Sequence, residues 1–188
     1  MMNVNKKAPP DEQEICRNCG FCCDGTIFSK ASLQTGERGN LPEKIEENYL
    51  VKEGKEYFRL PCQYFDKLCT IYDQKKPDFC SGYRCQLLID YSKKVISKND
   101  AMDIITKAME MRNELLIDHM KLKGHNSRTP FNEIFEVISK ESKSLESKEF
   151  SMGFDIFIAR CNIFEALLVK HFRSAKDFES MVVRVDNK

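Results

Sequence analysis

An excess of one charge is the first thing this sequence lacks. Thirty Lys and Arg face 29 Asp and Glu, for a net charge of +1. A nucleic-acid footprint normally shows a strong basic excess, so no nucleic-acid partner is expected. No apolar run approaches the roughly 20 residues that a membrane-spanning helix needs, so no membrane role is expected either. The opening "MMNVNKKAPPDEQE" carries two lysines with no apolar stretch behind them. That is not the pattern of a secretory signal. Residues 1–14 therefore read as a flexible leader, and the expected location is cytoplasmic. No internal repeat of domain size is visible. No Ser/His/Asp set and no paired-carboxylate motif stands out, so hydrolytic chemistry has no visible residues to run on.

What the sequence has instead is cysteine. There are nine, and eight of them lie between Cys16 and Cys85. Four fall within "CRNCGFCC", as Cys16, Cys19, Cys22 and Cys23. Cys62 and Cys69 follow in "CQYFDKLCTIYD", where apolar and β-branched residues flank a turn at Asp66-Lys67. That stretch predicts a short hairpin. Cys80 and Cys85 sit in the turn-rich "KKPDFCSGYRC". Between these groups, "SKASLQTGERGN" predicts a short helix broken at Gly36 and Gly39. "LPEKIEENYLVKEGKEYF" reads as a second short helix or a loop-rich insert, interrupted by Gly54. Residues 15–97 thus form a cysteine-rich lobe.

From about residue 98 the pattern turns helical. Asn99 or Asp100 is the expected cap of a helix with Asp103 in its first turn. Ala101, Ile104, Ile105, Ala108, Met111, Leu115 and Leu116 form its apolar stripe, and Gly124 is its expected stop. Thr129 and Pro130 start a second helix with Phe131, Ile134, Phe135 and Ile138 on one face. A polar stretch, "SKESKSLESKE", reads as a solvated helix end or a linker. A third helix carries Phe154, Phe157, Ile158, Cys161, Phe164, Leu168 and Phe172. It is apolar nearly all round, which predicts a central place in the packing. "MVVRV" is too short to assign. Residues 98–188 read as an α-helical bundle. The expected fold is mainly α, with a small, irregular, metal-centred lobe packed on that bundle.

The spacing of the thiols carries the chemistry. Cys16-x2-Cys19-Gly20 is a metal knuckle: two cysteines three apart converge on one ion if the backbone turns, and glycine eases the turn. Cys19-x2-Cys22 repeats it. Three cysteines at this spacing plus a remote fourth are also the pattern that holds a [4Fe–4S] cluster. Side chains of adjacent residues in an extended segment point to opposite sides. Cys22 and Cys23 then serve different sites, or one of them is not a ligand. Two four-thiolate sites and one cluster with spare thiols are both compatible. Dense cysteines in a small secreted domain usually form disulfides. Here the odd total, the lack of a signal and the x2 knuckles favour metal. Cys161 lies on an apolar helical stripe and reads as a core thiol.

"CRNCGFCC" followed by "PCQYFDKLCTIYDQKKPDFCSGYRC" resembles the CxxCxxCC cysteine-cluster family, the YkgJ-type zinc- or iron-chelating domain. Cys16, Cys19, Cys22, Cys23, Cys62, Cys69, Cys80 and Cys85 all match its pattern, as do Gly20, Ile71, Tyr72 and Pro77. Lys76 departs from it, standing where the family usually has arginine, which keeps the charge but loses the planar fork. The resemblance covers residues 15–86 and implies metal chelation by these eight cysteines. A similar cluster in flagellin lysine N-methylases implies an iron–sulfur centre and a role in protein modification. No Gly-rich strand-turn-helix for S-adenosylmethionine is present here.

Zinc in a closed thiolate site would be structural. An iron–sulfur cluster, which the cysteine run favours slightly, would allow electron transfer, sensing or radical chemistry. Arg17, Arg59 and Arg84 flank cysteines and either offset a cluster's charge or lie on the surface. Tyr72 and Tyr83 either cover the site or pack in a core. His119, His125 and His171 lack ligand spacing and read as surface or capping residues. Three functions follow: an iron–sulfur protein with a redox or accessory-enzyme role, a zinc-stabilised scaffold whose helical half binds a protein partner, or a chelator that carries zinc or iron. Whether the chain is an enzyme stays open.

Overall fold

A computed structural model of the chain describes residues 9–123, 129–144 and 152–173. Pro10 opens α1 (Pro10–Cys19), its fixed φ suiting the first turn, where Asp11 and Glu12 meet the helix's positive end. Residues 10–14, read as leader, are therefore helical, and Glu12 is buried among them. Residues 1–8 lie outside the described residues. Gly20 ends α1 in the left-handed conformation, with φ at 70°.

The chain then builds a small sheet. β1 (Lys30–Ser32), α2 (Glu43–Glu47), β2 (Tyr49–Lys52) and β3 (Lys55–Arg59) follow in order. The sheet runs β1-β3-β2, antiparallel throughout. The helix expected at 29–40 is instead β1 followed by turns. Ala31 pairs with Phe58 across the sheet and both are buried, so cross-strand packing overrides local preference. Gly54 is no interruption: with Glu53 it makes the two-residue turn between β2 and β3, both residues at positive φ. The expected hairpin is present as β4 (Phe65–Asp66) and β5 (Leu68–Cys69), turning at Lys67 alone.

Two short helices, α3 (Asp78–Gly82) and α4 (Gln86–Ser92), lead to the long ones: α5 (Lys98–Lys123), α6 (Phe131–Ser144) and α7 (Met152–His171). Ser97, not Asn99 or Asp100, caps α5. Its hydroxyl accepts the Asp100 N–H at 3.1 Å, and the Asp100 carboxylate accepts the Ser97 N–H at 2.9 Å and hydroxyl at 2.7 Å. This is a reciprocal capping box. α6 begins at Phe131, and the Pro130 carbonyl accepts the Ile134 N–H at 3.2 Å. The proposed stop at Gly124, residues 145–149 of the polar stretch, His125 and "MVVRV" lie outside the described residues.

The mainly α reading holds, with a small antiparallel sheet at its side. Two apolar cores result. The helical core joins the stripes of α5, α6 and α7 through Ile105, Phe131, Phe164 and Leu168. It also takes Ile15, Phe21, Ile27, Leu87 and Leu88 from the region read as cysteine lobe, so the sequence boundary at 97/98 does not divide the packing. The sheet core is smaller: Ala31, Leu33, Ile45, Phe58, Leu60 and Ile71. Among the described residues, no helix is long and apolar enough to cross a membrane.

Candidate metal centre

The cysteines collect at the seam between the two cores. Cys16 and Cys19 occupy the last turn of α1, three residues apart and so on one face. Gly20 then reverses the chain, and its carbonyl accepts the N–H groups of Cys23 at 2.8 Å and Asp24 at 3.0 Å. The turn needs glycine twice over. Its φ is left-handed, and a β-carbon there would lie 2.3 Å from the Phe65 ring.

Phe21 fixes this loop in place. It is fully buried in the helical core, edge-on to Phe172 at 5.0 Å and Phe164 at 6.3 Å. Arg112 of α5 lies over its ring at 5.2 Å and also pairs with Asp24. Burial raises the Asp24 carboxyl above its ordinary range, with Arg112 pulling against it. A second clamp joins Glu12, one turn before Cys16, to Arg84, the neighbour of Cys85, at 2.5 Å. The other Glu12 carboxylate oxygen is buried without a hydrogen-bond partner. Sequence reading placed none of these supports. The signal was available in Phe21, a large apolar residue inside a run of thiols.

All nine cysteines are reduced. Two small cavities adjoin the eight. One, of about 40 Å³, is lined by Cys16, Cys19, Cys22, Cys23 and Cys85 together with Ile15, Phe21, Leu87 and Phe172. The other, of about 70 Å³, is lined by Cys16, Cys22, Cys23, Cys62, Cys69 and Cys80 together with Ala31, Ile45, Phe58 and Ile71. A larger open cavity of about 450 Å³ has Cys16 and Cys80 in its wall. These two are the most exposed of the eight, the other six being partly buried.

Burial favours the protonated form of several of these thiols. It raises Cys19 and Cys22 well above the ordinary thiol range, with neighbouring thiols adding to the effect and the Phe21 amide opposing it at Cys19. Cys16, Cys23 and Cys62 are raised for the same first reason. Cys80 is pushed up to about 12 and Cys85 to about 11; amides at the start of α4 hold Cys85 down. Lys76 lowers both Cys16 and Cys80. Its ammonium donates to the Tyr72 carbonyl at 2.5 Å and lies 3.7 Å from the centre of the Tyr72 ring.

The flanking residues divide. Arg84 is tied to Glu12, Arg17 lies over the Tyr72 ring at 4.7 Å, and Arg59 is exposed on β3. Tyr72 lines the larger thiol cavity, and Tyr83 lines both while donating its hydroxyl to the Phe172 carbonyl. His119 is buried, stacked against Phe157 at 6.1 Å, which corrects its surface reading. Cys161 is fully buried on α7, as its stripe predicted, and burial pushes its thiol to about 12.

Compared with family models, curated proteins and solved structures, the chain matches none. Among the described residues, no group of three or more His, Cys, Asp or Glu stands in an arrangement that would hold a metal ion. The donor chemistry fits a soft metal, since reduced thiols are what zinc and iron–sulfur clusters take. The convergence is incomplete, so an ion would have to draw the sulfurs inward.

Proposed function

We propose that this chain binds metal through Cys16, Cys19, Cys22, Cys23, Cys62, Cys69, Cys80 and Cys85, as an iron–sulfur cluster of the [4Fe–4S] type or as zinc. One observation carries the reading: eight reduced thiols from three separate stretches of chain meet at two small adjoining cavities. Protein interiors are close-packed and rarely gather that much sulfur around empty space without a use for it. The resemblance of the spacing to the YkgJ-type family supports the same chemistry. Bound metal would take the protons' place on the sulfurs. An iron–sulfur centre would serve a cytoplasmic redox protein or an accessory of protein modification.

A zinc-stabilised scaffold with a protein partner is the second reading. It is favoured by Ile156 and Ile163, exposed one above the other on α7.

The deciding experiment uses the full chain purified without oxygen or chelators. Iron, zinc and acid-labile sulfide are measured on one sample with its visible spectrum. Matched iron and sulfide with broad absorption near roughly 400 nm establish a cluster. Zinc without sulfide establishes the scaffold reading, and neither metal overturns both. Cys161→Ser is expected to retain the full metal content, whereas Cys19→Ser and Cys22→Ser lose metal.

A further inference from the structure

We propose that the eight thiols form two separate four-sulfur metal sites set back to back: Cys16, Cys19, Cys22 and Cys85 on the helical core, and Cys23, Cys62, Cys69 and Cys80 on the sheet core. The inference rests on the metal-binding reading and adds the division, which the spacing alone left open.

Three independent observations draw the same line. The first is packing: Cys19, Cys22 and Cys85 pack against the helical core, whereas Cys62 and Cys69 pack against the sheet core. The second is the cavities. Cys19 and Cys85 line only the cavity walled by Phe21, Leu87 and Phe172. Of the two thiol cavities, Cys62, Cys69 and Cys80 line the one walled by Phe58 and Ile71 and not the other. The third is backbone: the Cys62 N–H donates to the Cys23 carbonyl at 2.7 Å, tying these two to one side.

Cys16, Cys22 and Cys23 line both cavities, so they are the shared wall. Cys22 belongs with Cys19: it lies two residues beyond the Gly20 turn, and both pack against the helical core. Cys23, its neighbour, serves the far side. Cys16 is assigned by its place on the α1 face that carries Cys19. The helical site thus draws three sulfurs from residues 16–22 and one from Cys85, and the sheet site one from Cys23 and three from residues 62–80. Each sulfur gives its proton to solvent as it takes the ion.

The test titrates metal-free, reduced full chain with Co²⁺ and follows thiolate-to-cobalt charge transfer. Two equivalents are expected per chain. Cys85→Ser and Cys80→Ser should each keep one equivalent in a four-thiolate site, and Cys85→Ser/Cys80→Ser none. Cys16→Ser/Cys85→Ser should still keep one, since both changes fall in one site. A single equivalent in the unaltered chain, or loss of both from one substitution in a variant that keeps its helical circular dichroism, overturns the division but not metal binding. No cobalt binding at all overturns both. Because a variant can fail to fold, the unaltered chain loaded with ¹¹³Cd provides the second measurement. Two cadmium resonances are expected, each correlated with the β-protons of one set of four cysteines. Correlations that cross the sets overturn the assignment.

Discussion

The helical region and the sheet region of this molecule close their interiors differently. The helical core is continuous: Phe21, Phe131, Phe164 and Phe172 interlock edge to face, and residues from α1, α4, α5, α6 and α7 share it. The sheet region has strands of two to five residues, a core of small extent and a cavity beside it walled by thiols. Apolar burial of about 25 cal/mol per Å² stabilises the first amply. The second has too little to bury, the situation in which small domains turn to metals or other staples. The comparison teaches where metal should matter. Its loss should loosen β1–β5 and leave α5 and α7 protected, an outcome that amide hydrogen exchange reads directly.

The sharpest way to break this comparison is Phe21, which belongs by sequence to the thiol run and by packing to the helices. Phe21→Ala should cost about 3–5 kcal/mol, the usual range for a fully buried aromatic, read from chemical denaturation. A cost below about 1 kcal/mol would mean that the thiol loop is not anchored in the helical core. Gly20→Ala comes next, at about 2 kcal/mol. Part of that is the left-handed backbone, worth about 1–2 kcal/mol for a residue with a β-carbon. The remainder is contact with the Phe65 ring, so Gly20→Ala/Phe65→Ala should recover the contact portion and leave the backbone portion. Full additivity of the two changes would refute the contact.

A smaller effect belongs to the helical side alone. Ser97→Ala removes the cap of α5 and should cost about 1 kcal/mol. Asp100 adds a pH signature. Hydrogen bonds from the Ser97 hydroxyl and N–H hold its carboxyl below the ordinary range. A carboxyl lowered in the folded state stabilises above its unfolded pKa and loses that contribution as pH falls through the lowered value. The start of α5 should therefore weaken below about pH 4, and Asp100→Asn should abolish that dependence. A variant whose acid profile matches the parent would show that the box contributes nothing.

Much of the helical half was legible because its signals are local. Ala101, Ile105, Ala108 and Leu115 repeat at helical spacing and are all buried; one periodicity encodes both the element and its inward face. The start of α5 was misplaced by two or three residues because Ser, Asn and Asp all cap well, and only the reciprocal bond of Ser97 with Asp100 separates them. The sheet was largely illegible. β1 is three residues long, and nothing local distinguishes it from a short helix until Phe58 pairs with Ala31 from far along the chain. The Glu53-Gly54 turn lacked the usual Asn-Gly or Asp-Gly signal. Cysteine spacing identified the eight candidate thiols. It said nothing of Phe21, the Asp24–Arg112 pair or the Glu12–Arg84 pair, which bind the thiol loops to elements distant in sequence.

The smallest expected effect tests α7 itself. Its sequence is apolar nearly all round, which predicts a helix enclosed on every side. In the structure Phe157, Cys161, Phe164 and Leu168 face the core, but Ile156 and Ile163 remain 55% and 59% exposed. Two turns apart, they form a strip on the outer face, where an apolar side chain contributes little to folding. Ile156→Glu and Ile163→Glu should each change stability by less than about 0.5 kcal/mol, whereas Phe164→Ala on the inner face should cost about 3–5 kcal/mol. A loss above about 2 kcal/mol from either glutamate would mean that the strip is covered in solution. The asymmetry of α7 would then be that of an incomplete assembly, and the contrast between the two regions would have to be drawn again with the helical half buried on both faces.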